Sequence, residues 1–140
     1  MSSTRFEPTA HEPTAQRGST VRGDGYTIAP REELERTGGW SLVRRSVGCR
    51  AFGVNLVEIP PGESIPEHDE TARSQEELFF VVSGSPTLVI DGEGHPAPAG
   101  TFARLDPPRR RTVRNGGSEP CSVLIVSAPT TSGYEPMEWA

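Results

Sequence analysis

Between Trp40 and Ser127 the apolar residues arrive in short runs, and nearly every run is closed by glycine or proline. Pro60-Pro61-Gly62, Ser83-Gly84-Ser85, Asp91-Gly92, Pro107-Pro108 and Asn115-Gly116-Gly117 are the breaks. Proline has no backbone N–H and glycine loses the most entropy on ordering, so no long helix runs through such punctuation. The 140 residues include 15 glycines and 14 prolines, which extends the constraint along the whole chain. The runs predict strands over residues 40–43, 50–59, 77–83, 86–91, 101–105, 111–115 and 122–127. Asp91-Gly92 between two of them is a hairpin signal, because both turn positions need positive φ. One or two helical turns are expected over residues 30–36, with Pro30 as the start and Gly38-Gly39 as the stop. Seven short strands with no periodic helix among them indicate an all-β sandwich or barrel.

Composition limits what else the chain can be. Apolar residues make up 33%, enough for one core but not for two. That core is expected within a single domain over residues 26–140, its barrel centred on 40–129. Residues 1–25 hold almost nothing to bury, and Glu7-Pro8-Thr9-Ala10 recurs as Glu12-Pro13-Thr14-Ala15. Such a segment is expected to stay disordered, with His11 an ordinary solvated histidine. The net charge of −5 argues against nucleic acid as a partner. The longest unbroken apolar run, Leu78 to Val82, is too short to span a membrane. The N-terminus lacks the charged-then-apolar shape of a signal peptide, and Cys49 and Cys121 are the only two cysteines. A reduced, cytoplasmic protein is the expectation. The two thiols read as small hydrophobes, and a single disulfide between them is the alternative. The last residues, with Tyr134 and Trp139, pack either over the barrel or on a partner chain.

Three groups could carry chemistry. In Gly62-Glu63-Ser64-Ile65-Pro66-Glu67-His68-Asp69-Glu70, His68 and Glu70 stand two apart and face one side of a strand. In the run from Gln75 to Gly84, Glu77 shares a face with Phe79 and Val81, so a carboxylate points where core side chains point. A carboxylate buried there needs a partner. In the third, alternation puts Arg111, Val113 and Asn115 on one face and Arg110, Thr112 and Arg114 on the other. His95, beside Pro96 in the predicted hairpin, is expected to be exposed and without a role.

These groups resemble the two motifs of the cupin superfamily, small β-barrels of the double-stranded β-helix or jelly-roll type. The first motif reads G-x5-H-x-H-x(3,4)-E-x6-G, and Gly62, His68, Glu77 and Gly84 match it. The second reads G-x5-P-x-G-x2-H-x3-N, and Gly100 and Asn115 fall at its ends. Residues 86–98 are the hairpin between the motifs. The departures concern the metal ligands. Metal-binding cupins take two histidines and a glutamate from the first motif and a third histidine from the second. Here Glu70 stands at the second histidine position and Arg111 at the third, and six residues instead of three or four separate Glu70 from Glu77. Asp106 and Pro108 replace the proline and glycine of the second motif.

A guanidinium has no lone pair to donate. Held ~4 Å from a divalent ion, it costs about 8 kcal/mol at an effective dielectric of 20. No metal cofactor is therefore favoured; a divalent metal, if bound, would be held by His68, Glu70 and Glu77. Otherwise Arg111 replaces the cation and pairs with Glu77 inside the barrel. The resemblance then implies a barrel that binds a small organic molecule, anionic ones included, without metal, through His68, Glu70, Glu77, Phe79 and Arg111. The other reading is a small enzyme (isomerase, epimerase, cyclase or dioxygenase-like) with His68 or Glu77 as acid/base or metal ligands. Strand edges left open in an isolated barrel lead to the expectation of a homodimer.

Overall fold

In the computed structural model, which describes residues 18–140, two sheets contribute to one apolar core. In chain order the strands are β1 (Val21–Gly23), β2 (Tyr26–Ile28), β3 (Arg36–Thr37), β4 (Trp40–Ser41), β5 (Gly53–Ile59), β6 (Gln75–Ser83), β7 (Thr87–Ile90), β8 (Glu93–Pro96), β9 (Phe102–Leu105), β10 (Arg111–Arg114) and β11 (Cys121–Pro129). The larger sheet has six strands ordered β3-β4-β5-β11-β6-β9, and the smaller has three ordered β10-β7-β8. Every pairing is antiparallel. Residues 64–68 lie along β10 through isolated bridges at Ser64–Arg114 and His68–Arg111, which widens the smaller sheet. Val57, Phe79, Val123 and Leu105 enter the core from the larger sheet, and Leu88 and Val113 from the smaller one. The chain thus has the expected all-β barrel.

Two devices close the barrel. Gly62 donates its N–H to the carbonyl of Asn115 at 2.7 Å, joining the two motifs directly. The buried Asn115 side chain donates to the carbonyls of Ile59 (2.9 Å) and Glu119 (2.7 Å) and accepts from Gly117 N–H at 3.1 Å. A buried amide satisfied at both ends is a rigid staple. Gly84 ends the first motif at φ 84°, where an added Cβ would meet Cys121 Cβ at 2.5 Å. No other residue fits so close an approach without a shift of β11.

The hairpin at Asp91-Gly92 forms as expected, with φ 50° and 82°, between β7 and β8. Elsewhere local structure departs from the reading. Residues 30–36 form only a 3₁₀ turn at Arg31–Glu33, and Gly38-Gly39 is the turn of the β3–β4 hairpin. The strand expected over 40–43 stops at Ser41 and gives way to the helix α1 (Val43–Val47). Ser46 causes this: its Oγ donates to Leu42 O at 2.7 Å and accepts from Glu35 N–H at 3.0 Å, tying one helical turn to the segment before it. The expected disordered segment lies outside the described residues over 1–17, while Val21–Gly23 at its end pairs with β2. Both cysteines are free thiols, Cys121 buried and Cys49 half-buried. Among the described residues no helix is long and apolar enough to cross a membrane.

Strand alternation places Phe79 inside, 2% exposed, while Phe80 packs on Phe102 on the outer face at a ring separation of 4.4 Å. Phe79→Ala is expected to cost ~3–5 kcal/mol in a denaturant melt, with a smaller loss for Phe80→Ala. The reverse order would mean that the register of β6 is shifted by one.

Candidate functional site

The site begins with a backbone pairing. His68 N–H donates to Arg111 O at 3.1 Å, and Arg111 N–H donates to His68 O at 2.8 Å. Residues paired in this way project to the same face of a sheet, so the first and third ligand positions of the motifs sit side by side. Glu77 reaches them from the opposite sheet, where it alternates with Phe79 and Val81. Glu70 is held by its N–H, which donates to Pro107 O at 2.9 Å, and by its carbonyl, which accepts from Gln75 N–H at 3.2 Å.

The side chains then converge. His68 Nε2 lies 3.2 Å from Glu70 Oε1 and 3.6 Å from Glu77 Oε1. The other ring nitrogen, Nδ1, is 3.0 Å from Pro66 O. A carbonyl only accepts, so Nδ1 carries a proton in this geometry and Nε2 is the nitrogen that faces the two carboxylates. Burial raises the pKa of Glu77 above the ordinary carboxylate value, and the Glu70 charge adds to the rise; Arg111 and His68 pull it down.

Arg111 sits behind Glu77 and is entirely buried, 0% exposed. Its Nη2 donates to Asp106 O at 3.0 Å and its Nη1 to Pro107 O at 3.4 Å, and its Nε lies 3.5 Å from Glu77 Oε1. The last contact is an ion pair by distance, but it lacks hydrogen-bond alignment: Glu77 Oε1 and Arg111 Nε both remain without a hydrogen-bond partner. Arg111 therefore neutralises Glu77 without saturating it.

A cavity of about 350 Å³ opens onto these groups. His68, Glu70 and Glu77 form its acidic wall, with Trp40 and Ile125 as apolar surface. Phe79 and Arg111, both expected to touch a ligand, do not line this cavity. Phe79 faces the apolar core next to a small void shared with Val81 and Val113, and Arg111 is screened by Glu77. In their place the cavity gains Asn55, Gln75, Ser127 and Arg73. Asn55 and Ser127 were legible in principle: along β5 and β11 the inward positions turn from apolar to polar toward one end (Ile59, Val57, Asn55; Val123, Ile125, Ser127). Arg73 was not. It comes from the extra residues between Glu70 and Glu77, which form a 3₁₀ turn at Thr71–Arg73. Asp69 Oδ1 accepts from Thr71 N–H at 3.0 Å and fixes that turn, a bond that holds the Asp69 carboxyl below its usual range. Arg73 has no ion-pair partner among the described residues. His95 is exposed on β8, as expected. A larger, open groove of about 670 Å³ beside the β1–β2 hairpin and α1 contains none of the expected site residues.

His68, Glu70 and Glu77 also form the one group among the described residues that could hold a metal, their ligand atoms lying within 4.8 Å of one another. The donor types suit a divalent ion. The guanidinium of Arg111 does not, because it places a positive charge 3.5 Å from Glu77 Oε1. The set as it stands fits a divalent ion poorly.

A two-sheet barrel joined at a glycine and an asparagine, with a polar cavity at one end, defines a small jelly-roll class. The chain belongs to the cupin family: the Cupin domain model matches residues 55–127, just over half of it. No curated protein matches. Among solved structures, a cupin protein from Bacteroides fragilis is 21% identical, with 82% of this chain and 92% of that one covered and a TM-score of 0.69. A cupin-superfamily sugar phosphate isomerase from Silicibacter pomeroyi is 28% identical, with 66% and 61% covered and a TM-score of 0.59. A Cupin 2 conserved barrel domain protein from Salinispora arenicola is 26% identical, with 59% and 67% covered and a TM-score of 0.53.

A carbon-detected NMR titration of the Glu77 carboxyl is expected to give a midpoint above 4.5, the ordinary value for a glutamate. Because the folded value is raised, the Glu77 contribution to stability is full at low pH and is lost as pH rises through that midpoint. Glu70→Gln removes the neighbouring like charge and lowers the midpoint. A parent midpoint at or below 4.5 would contradict the burial argument.

Proposed function

We propose that this cupin binds a small, polar, anionic organic molecule in its barrel cavity, without a metal. The observation that carries the reading is the cavity lining, where Arg73, without an ion-pair partner among the described residues, shares one polar pocket with His68, Glu70, Asn55 and Gln75. Arg73 at the cavity lining supplies a cation for a carboxylate or phosphate, in a bidentate geometry that suits either. Arg111 supplies behind Glu77 the positive charge that a metal would bring. The likeness to a sugar phosphate isomerase supports a ligand of this polarity.

A second reading, acid–base catalysis on the same ligand, is favoured by the convergence of His68 Nε2 on Glu70 Oε1 at 3.2 Å and Glu77 Oε1 at 3.6 Å. Such a cluster can accept a proton from a carbon next to a carbonyl and return it to a neighbouring position. Incubating a bound ligand in deuterated buffer tests it: exchange of such a proton, lost in Glu77→Gln, is the expected result. Binding without exchange leaves the first reading alone.

Two experiments test the binding reading. In a thermal-shift panel of small carboxylic acids and phosphorylated sugars, one class should raise the melting temperature. A ligand at a hundred times its dissociation constant stabilises by about 2.7 kcal/mol. Arg73→Ala is expected to abolish the shift while leaving the unliganded melt unchanged. A flat response to every class would remove the proposal.

The metal-free element is tested separately by calorimetric titration with Ni²⁺, Zn²⁺ and Mn²⁺. Arg111→His removes the cation and adds an imidazole, so it should gain an affinity that the parent lacks. Arg111→Ala should gain less and should destabilise by ~3–5 kcal/mol, because Glu77 loses its counter-charge. A parent that binds a stoichiometric ion, lost in His68→Ala, would overturn the metal-free reading.

A further inference from the structure

The outer face of the larger sheet carries an apolar surface that the other described residues do not cover. Register places Leu124, Phe80 and Phe102 in one row across β11, β6 and β9, with Val126 and Leu78 in the next. Phe102 is 67% exposed, and Leu78 and Val82 are exposed as well. A groove of about 280 Å³ runs over this face, lined by Leu78, Val126 and Ala128, with Glu76 and Arg104 at its rim. Scattered exposed apolar residues are ordinary; a contiguous set on one sheet marks an interaction surface.

The same chain holds a second unmatched element. Beyond β11, Thr130 is tied to the turn before β6, its N–H donating to Ser74 O at 2.9 Å. The chain then leaves the barrel as Gly133-Tyr134-Glu135-Pro136-Met137-Glu138-Trp139-Ala140. Tyr134 is 77% exposed, Met137 65% and Trp139 84%. Among the described residues, then, an exposed aromatic arm and an exposed apolar face occur together, each without a cover.

We propose that the two meet between copies: the arm of residues 134–140 from one chain lies across the outer face of the larger sheet of a second, and the exchange is mutual. A twofold pair makes the same contact twice, so one face and one arm per chain suffice. Seven residues extend to about 23 Å, enough to cross several strands. Phe102, Tyr134 and Trp139, counted on both copies, offer on the order of 1,000 Å². Leu78, Val82 and Met137 carry the total into the ~1,200–2,000 Å² of stable pairs. Arg104 at the groove rim provides a cation for a ring of the arriving arm. The apolar residues of the contact, Leu78, Val82, Phe102, Tyr134, Met137 and Trp139, do not line the barrel cavity, although the groove shares Glu77 and Ser127 with it.

Sedimentation at micromolar concentration tests it with the full chain and four variants. The full chain should sediment at twice its monomer mass. Deletion of residues 134–140 and Phe102→Asp should each give monomers with unchanged circular dichroism, since neither touches the core. Val82→Asp is the second face variant if Phe102→Asp does not fold. Deletion of residues 1–17 should leave the pair intact. An equimolar mixture of the arm deletion and Phe102→Asp should recover a weaker pair, because one chain keeps a face and the other an arm. A monomeric full chain overturns the proposal. So does a dimer that survives the arm deletion, which would indicate direct face-to-face pairing, or one lost with residues 1–17, which would give the face to that segment.

Discussion

A buried guanidinium is among the most demanding groups a small barrel can enclose, and Arg111 organises the interior around itself. Removing such a charge from water costs several kcal/mol even after relaxation, so its neighbours must compensate. They do so on three sides: the carbonyls of Asp106 and Pro107 accept its Nη hydrogens, and Glu77 supplies the opposite charge. The loop at residues 106–108 departs from the family pattern and provides those two carbonyls. Glu77 in turn cannot be fully satisfied by Arg111, because the Nε contact lacks alignment. One ion pair thus ties the loop at residues 106–108 to the carboxylate at the cavity wall.

The frame that makes this possible is covalently simple. Gly62 and Asn115 fasten the two motifs at one level, and His68 and Arg111 pair at another. Between these levels the segment of residues 64–68 behaves as a further strand of the smaller sheet. Side chains that the two motifs hold far apart in sequence are therefore registered by backbone hydrogen bonds, and their spacing depends little on flexible rotamers. Such preorganisation lets a weakly paired carboxylate and imidazole be held 3.6 Å apart instead of relaxing away from each other.

The interior is divided along its length. Toward one end Phe79, Val81, Val113 and Val123 pack with no room beyond a small void. Toward the other, Asn55, Glu77 and Ser127 take the inward positions and a cavity opens. The apolar half supplies stability, and the polar half carries the charged groups. The exposed rows on the outer face belong to neither.

Punctuation by glycine and proline, together with alternation inside each short run, was sufficient for the all-β class, for the inward direction of Glu77, Phe79, Arg111 and Asn115, and for the Asp91-Gly92 hairpin. These depend on local backbone geometry and on a period of two, which a linear chain expresses directly. The one-turn helix at Val43–Val47 was not legible, since it rests on Ser46 bonding across to Glu35. Nor was the division of labour inside the barrel. Both Glu77 and Arg111 point inward, but only the packing of one sheet against the other puts Arg111 behind Glu77 and out of the cavity. Arg73 reaches the cavity because residues between Glu70 and Glu77 fold into a turn whose direction no spacing rule encodes. Residue type and period determined which side chains enter the barrel; the approach of the two sheets decided which of them meet, because distances across a core are set by packing and not by separation along the chain.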